Sequence, residues 1–144
     1  MSASTYIRSL HIWDHAAITM EELFQGVDLF LSPTTAFSAP KVARDLQSDV
    51  IREKIANIQH YNEKESLEVI SEMFEKSLQI TPYTQLANLT GQPAISLPTH
   101  LTKESLPLGI QFMAASGRED LLFQIGELFE EHGKFHLPPS YRRN

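Results

Sequence analysis

Apolar residues along the chain follow two patterns: short continuous runs bounded by glycine or proline, and longer stretches with three- and four-residue spacing. The first kind predicts strands. "VDLFLS" (residues 27–32), between Gly26 and Pro33, is the pattern of a strand buried on both faces. "PAISLP" (93–98) and "LPLGIQFMAA" (106–115) predict two more, joined by the polar "THLTKES" (99–105). A connector that short suits a hairpin better than a helical crossover, so these two strands are expected to be antiparallel neighbours.

The second kind predicts helices. Over residues 11–25, Ile18, Leu23 and Phe24 share a face, Thr19 and Glu22 form a capping-box pattern that would restart the helix, and Gly26 ends it. Leu46, Val50, Ile51, Ile55 and Ile58 stripe one amphipathic helix, and Leu67, Ile70, Phe74 and Leu78 a second, with "HYNEKE" (60–65) as the turn. Thr81 as N-cap and Pro82 at the first helical position predict a short helix closed by Gly91. Ser116 and Glu119 suggest a capping box for a last helix striped by Leu121, Leu122, Ile125, Leu128 and Phe129, ending near Gly133.

The order is helix, strand, helical pair, helix, strand, strand, helix, which is an α/β arrangement. Residues 1–144 read as one domain, with 41–80 as a helical excursion from the sheet. Three strands are few for five helices, and a strand of the buried type wants neighbours on both sides. The sheet reads as partial.

Composition narrows the classes. A chain 42% hydrophobic and 21% charged is ordinary for a folded domain. A net charge of −6, with no basic patch beyond Arg142 and Arg143, speaks against nucleic acid as a partner. The chain has no cysteine, so disulfides, thiolate metal sites and cysteine nucleophiles are all excluded. No apolar run approaches the roughly 20 residues that span a bilayer, so no membrane partner is expected. Residues 1–17 lack the apolar stretch of a signal peptide, and a cytoplasmic protein is the expectation. The acceptor pattern Asn88-Leu89-Thr90 is then read as chance.

Candidate chemistry is sparse. His11 and His15 stand one helical turn apart beside Asp14, but no third metal ligand is evident, and they read as surface residues. His132 and His136 flank Gly133, where interaction with the last helical carbonyls is expected. Neither a metal nor a cofactor is predicted. Ser38 and Lys41 satisfy a Ser-x-x-Lys spacing, but Pro40 lies between them and works against a helical turn there. Thr34, Thr35 and Phe37 follow the end of a strand, where ligands gather in open α/β sheets, though capping and packing would use the same residues. Gln111 is polar in an apolar strand: it either points to a pocket or satisfies backbone groups of a neighbouring loop. Asn88 is expected to bond locally at its helix end.

Three blocks together are more specific than any of these. "DLFLSPTTAFSAP" (28–40), "TPYTQLANLTGQPAISLP" (81–98) and "LPLGIQFMAASGREDLLFQIGELFEE" (106–131) resemble, in order and spacing, the C-terminal part of the amidase signature family, the amide hydrolases and glutamine amidotransferase A-subunits. The resemblance implies a partial mixed β-sheet flanked by helices, the C-terminal portion of that family's αβα fold. It also implies chemistry by a serine nucleophile, a second serine held by a cis peptide and a lysine base, with backbone donors for the oxyanion. This chain departs from the pattern in one respect. Its six glycines are scattered singly and it has no Ser-Ser pair, so nothing matches the Gly-Ser-rich catalytic loop or the lysine before it.

The expectation is therefore a C-terminal fragment of an amidase-type hydrolase acting on carbon–nitrogen bonds, with no catalytic residue of its own. Its partners would be the missing N-terminal amidase segment and a small amide substrate. The resemblance places the loop of Thr34, Thr35 and Phe37 near the acyl pocket, and these three with Gln111 are the expected substrate-binding residues. The isolated chain is expected to self-associate. The other reading is a non-catalytic interaction module that uses an open sheet edge to bind itself or a partner.

Overall fold

The computed structural model describes residues 2–42 and 47–141. Its sheet has three strands, β1 (Phe30–Pro33), β2 (Ala94–Leu101) and β3 (Pro107–Met113), in the order β1-β3-β2. The central strand β3 pairs antiparallel on both sides. The expected hairpin between β2 and β3 is present. Thr102 builds its turn: its N–H donates to Leu106 O at 2.9 Å, and its Oγ1 accepts from the N–H groups of Glu104 and Leu106. Ser105 occupies the left-handed region in that turn, with φ 61°. The pairing slips between Leu97 and His100, a bulge in β2.

The first strand is shorter and less buried than its pattern predicts. It begins at Phe30, not at Val27, and Leu31 is 55% exposed. Among the described residues it pairs only with β3, so no second neighbour covers its outer side.

Period-two alternation gives the sheet two unlike faces. On one, Ile95, Leu97, Ile110 and Phe112 meet helix α5 (Glu119–Glu131) through Leu122, Ile125 and Phe129. Phe112 and Phe129 pack edge to face, with centroids 5.7 Å apart. Of the predicted stripe, Leu122, Ile125 and Phe129 pack into this core, whereas Leu128 is exposed. The other face carries Ser32, Ser96, Gly109 and Gln111, with Met113 fully buried beside them.

Helix α1 (Ala3–Leu23) starts eight residues before the expected position, capped by the hydroxyl of Ser2, which accepts from Thr5 N–H. The predicted restart at Thr19 does not occur: its hydroxyl donates to His15 O within a continuous helix. Helix α1 packs against helix α4 (Thr84–Thr90) and reaches the loops beside the sheet through the Ala17 carbonyl, which accepts from Gln92 Nε2 at 3.4 Å, and through one carboxylate. Glu21 Oε1 accepts from Gln92 Nε2 at 3.0 Å and from both the N–H and the hydroxyl of Ser116. The loop leaving α4 and the loop leaving β3 are therefore fastened to one oxygen. The Ser116 hydroxyl, then Gln92, hold the Glu21 carboxyl below its ordinary range.

This bond explains a correction. Ser116 does not cap α5, because its hydroxyl is committed to Glu21, and the N-cap position falls to Arg118. A second correction concerns Thr81. It closes the preceding helix α3 (Glu63–Ile80), donating from Oγ1 to Ser77 O, and α4 begins three residues later. Gly91 ends α4 as expected, at φ 81°, a conformation open to glycine without steric cost.

The helical pair is present. Helix α2 (Asp49–Ala56) is capped by Ser48, and α3 by a reciprocal capping box between Asn62 and Glu65. Lys54 of α2 and Glu72 of α3 join at 2.6 Å on the surface, where such a pair contributes little. Leu46, assigned to the first stripe, lies outside the described residues.

Much apolar surface stays in solvent. Only Val69, Leu97, Phe112, Met113, Ala114 and Leu122 are buried hydrophobics among the described residues, and α1 buries none. The accessible area is 10598 Å². A compact monomer of 16.3 kDa exposes about 7500 Å². No helix among the described residues is long and apolar enough to cross a membrane.

Two measurements test this description. The native Glu21 pKa lies below that of the unfolded chain, near 4.3, so the clamp stabilises the fold above that pH and is lost as pH falls through the native value. Urea midpoints of Glu21→Gln are expected below wild type at pH 7, converging with it in acid; a gap of constant size would contradict the clamp. Ser105→Gly is expected to raise stability by about 0.5–1 kcal/mol by relieving the left-handed residue, measurable as an increased urea midpoint at constant slope.

Candidate functional site

The candidate loop leaves β1 at Pro33 and covers residues 34–37. Three bonds hold it. Thr34 N–H donates to Gly109 O at 3.0 Å, continuing the ladder one step past the strand. Thr34 Oγ1 lies 2.6 Å from Ser96 Oγ. Ala36 N–H donates to Ile80 O at 2.8 Å, which ties the loop to the end of α3. Thr34 and Thr35 are partly buried, while Phe37 is 65% exposed.

Gln111 shares a sheet face with Thr34. It sits between Ser32 on β1 and Ser96 on β2 as cross-strand partner of both. Ser32 and Gln111 are each only 5% exposed, and neither Ser32 Oγ nor Gln111 Nε2 has a hydrogen-bond partner among the described residues. The amide of Gln111 thus leaves its donor unused, against the reading in which it satisfies a neighbouring loop. A buried polar atom left without a partner costs about 1–3 kcal/mol, and Gln92 Oε1 is in the same state outside the strip.

Sequence reasoning missed Ser32, Ser96 and Gly109. The signal was present in period two: Ser32 and Ser96 fall at alternate positions opposite Gln111. Gly109 is an isolated glycine inside a strand, a mark of close approach by another group.

The other sequence candidates stay apart. Ser38 and Lys41 lie in irregular chain, not on a helix, so their spacing does not stack them. His11, Asp14 and His15 are exposed along α1. No group of three potential metal ligands occurs among the described residues. His132 Nδ1 lies 2.9 Å from Leu128 O, the expected interaction with a terminal carbonyl. Asn88 is exposed on α4. A groove of about 520 Å³ follows β2, lined by Ile95, Leu97, Pro98, Phe123, Glu127 and Phe135. The polar strip can donate and accept hydrogen bonds, which suits binding and orientation. Bond cleavage would need a nucleophile and a base held together, a pairing neither the strip nor the loop supplies.

The profile of the family described as Amidase matches residues 2–123. The chain is 38% identical over 122 residues to "Lipoamidase" of Enterococcus faecalis, covering 85% of this chain and 17% of that protein. It is 33% identical over 115 residues to the A-subunit of the mitochondrial glutamyl-tRNA(Gln) amidotransferase of Aedes aegypti, covering 80% and 19%. Over a shorter stretch of 54 residues it is 48% identical to the "6-aminohexanoate-cyclic-dimer hydrolase" of Paenarthrobacter ureafaciens, covering 38% and 11%. The chain thus spans less than a fifth of the length of each of these relatives. A solved structure of 6-aminohexanoate cyclic dimer hydrolase has the same fold over 96% of this chain and 27% of its own, with a TM-score of 0.74 at 24% identity. With the family profile matched across most of its length, the chain belongs to the Amidase family.

Proposed function

We propose that this chain is the C-terminal segment of an amidase-type hydrolase acting on carbon–nitrogen bonds. It supplies sheet, core and part of the pocket for a small amide substrate. The serine nucleophile, its bridging serine and the lysine base lie on the N-terminal amidase segment. One observation carries this reading: a family match over residues 2–123 spans only 17% of the lipoamidase and 19% of the amidotransferase chain. The physical state of the chain supports it. Area on the order of 3000 Å² beyond that of a compact monomer is left exposed, and among the described residues β1 and β2 each pair on one side only.

The substrate-binding residues in this reading are Thr34, Thr35, Phe37 and Gln111. Thr34 and Gln111 share the polar face, and Gln111 offers an unused N–H donor there. Phe37 presents an exposed ring from the loop, suited to the apolar part of an acyl group. The interaction-module reading has no separate observation behind it, because open strand edges follow equally from an incomplete sheet.

Two measurements test the proposal. Purified as the isolated chain, the protein is expected to show no turnover of simple amides or glutamine, while the complete polypeptide hydrolyses an amide. Turnover by the isolated chain that disappears in Ser38→Ala would overturn the assignment of catalysis to another segment. Light scattering at micromolar concentration is expected to show species above 16.3 kDa, since exposed apolar surface and unpaired edges drive association. A clean monomer would count against an unfinished sheet.

A further inference from the structure

Thr34 and Ser96 belong to opposite edges of the three-stranded sheet, with β3 between them. Their hydroxyls meet at 2.6 Å all the same. Adjacent strands stand about 4.8 Å apart, so strands two places apart are separated by roughly 10 Å. Two of the shortest polar side chains can bridge that distance only where nothing rises from the strand between them. Gly109 is that place. A Cβ there would lie 3.1 Å from both hydroxyl oxygens and 2.9 Å from Leu97 O. Its φ lies outside the left-handed region, so glycine is required by space and not by backbone conformation.

The bulge of β2 between Leu97 and His100 brings the Leu97 carbonyl in against the same glycine. Three features therefore converge on one point: a glycine in a strand interior, a bulge opposite it, and a hydroxyl pair crossing above it. The loop held there carries Thr34, Thr35 and Phe37. Its only other described attachments are Thr34 N–H to Gly109 O and Ala36 N–H to Ile80 O.

We propose that Ser96, reaching Thr34 through the slot above Gly109, is a positioning residue that fixes the 34–37 loop against the sheet and so sets the shape of the pocket it borders. The inference rests on the pocket reading given above. Ser96 acts through Thr34 and touches no reacting atom. Without it the loop keeps its backbone bonds but loses the one side-chain tie to the far strand.

The test compares wild type and Ser96→Ala in the complete amidase. Ser96→Ala is expected to speed amide hydrogen exchange at residues 34–37 about tenfold, with Gln111 and Phe112 unchanged, as in local opening. Its KM for an amide is expected to rise about tenfold with kcat within about twofold, the signature of lost uniform binding. General loss of structure would instead speed exchange across β3 and lower kcat with it. Unchanged exchange at 34–37, exchange accelerated throughout the sheet, or faster loop exchange with an unchanged KM each overturns the inference. Should wild type hydrolyse no amide, the pocket reading falls, and the exchange data alone decide whether Ser96 holds the loop. Gly109→Ala closes the slot from below and is expected to reproduce the Ser96→Ala exchange pattern; a wild-type pattern would also overturn the proposal.

Discussion

The double pairing of β3 is the constraint on which the rest of the structure depends. Among the described residues, both other strands pair only with it. It divides the chain into an apolar side, where Phe112 and Ile110 bury α5, and a polar side, where Gln111 stands between two serines. Register does this work: a slip of one residue would exchange the two faces and put Gln111 into the α5 core. The register is anchored at one end by the Thr102 turn and at the other by Ala114 N–H bonding to Pro93 O.

From that frame the parts far apart in sequence are tied by few polar contacts. Glu21, near the end of α1, takes Gln92 from after α4 and Ser116 from after β3. Thr34, after β1, takes Ser96 from β2. Each bond joins segments more than 60 residues apart; Thr34 and Ser96 are short and lose little freedom, whereas Glu21 and Gln92 lose more. Helix α1 depends on such ties more than on burial, since no residue of it is buried. With Ile7, Leu10, Ile12, Trp13, Ile18 and Leu23 exposed, α1 keeps apolar side chains available for other surface, which agrees with a chain that covers under a fifth of its relatives.

Local chemistry made much of this legible in the sequence. Three of the five residues of the predicted α5 stripe, Leu122, Ile125 and Phe129, pack into the core, and Gly91 sits in the left-handed cap its position predicts. The β2–β3 hairpin follows from connector length alone. The differences share a cause. Thr81, Ser116 and Thr19 are hydroxyl residues whose sequence neighbours suggest helix starts. In the structure they bond to Ser77 O, Glu21 and His15 O. A hydroxyl has several partners of similar energy, and tertiary contacts choose among them. The strand at 27–32 is shorter than its pattern for a related reason: an apolar run reports the neighbours a segment wants, and Leu31 is exposed where, among the described residues, only one is provided. Of the candidate site, Thr34 and Gln111 are recognisable as odd residues in place, whereas Ser32 and Ser96 matter only once register sets them beside Gln111.

The three blocks that carry the family resemblance are also the three places where polar ties cross the fold. The block at 28–40 contains Ser32 and Thr34; that at 81–98 contains Gly91, Gln92 and Ser96; that at 106–131 contains Gly109, Gln111 and Ser116. Apolar positions in these blocks can be exchanged among residues of similar volume at modest cost. The polar and glycine positions have no such latitude here. Gly109 has no room for a methyl group, Gln92 and Ser116 share one carboxylate oxygen, and Ser96 must be short and hydroxylated to meet Thr34. A pattern of such residues at fixed spacing is therefore a record of cross-strand geometry.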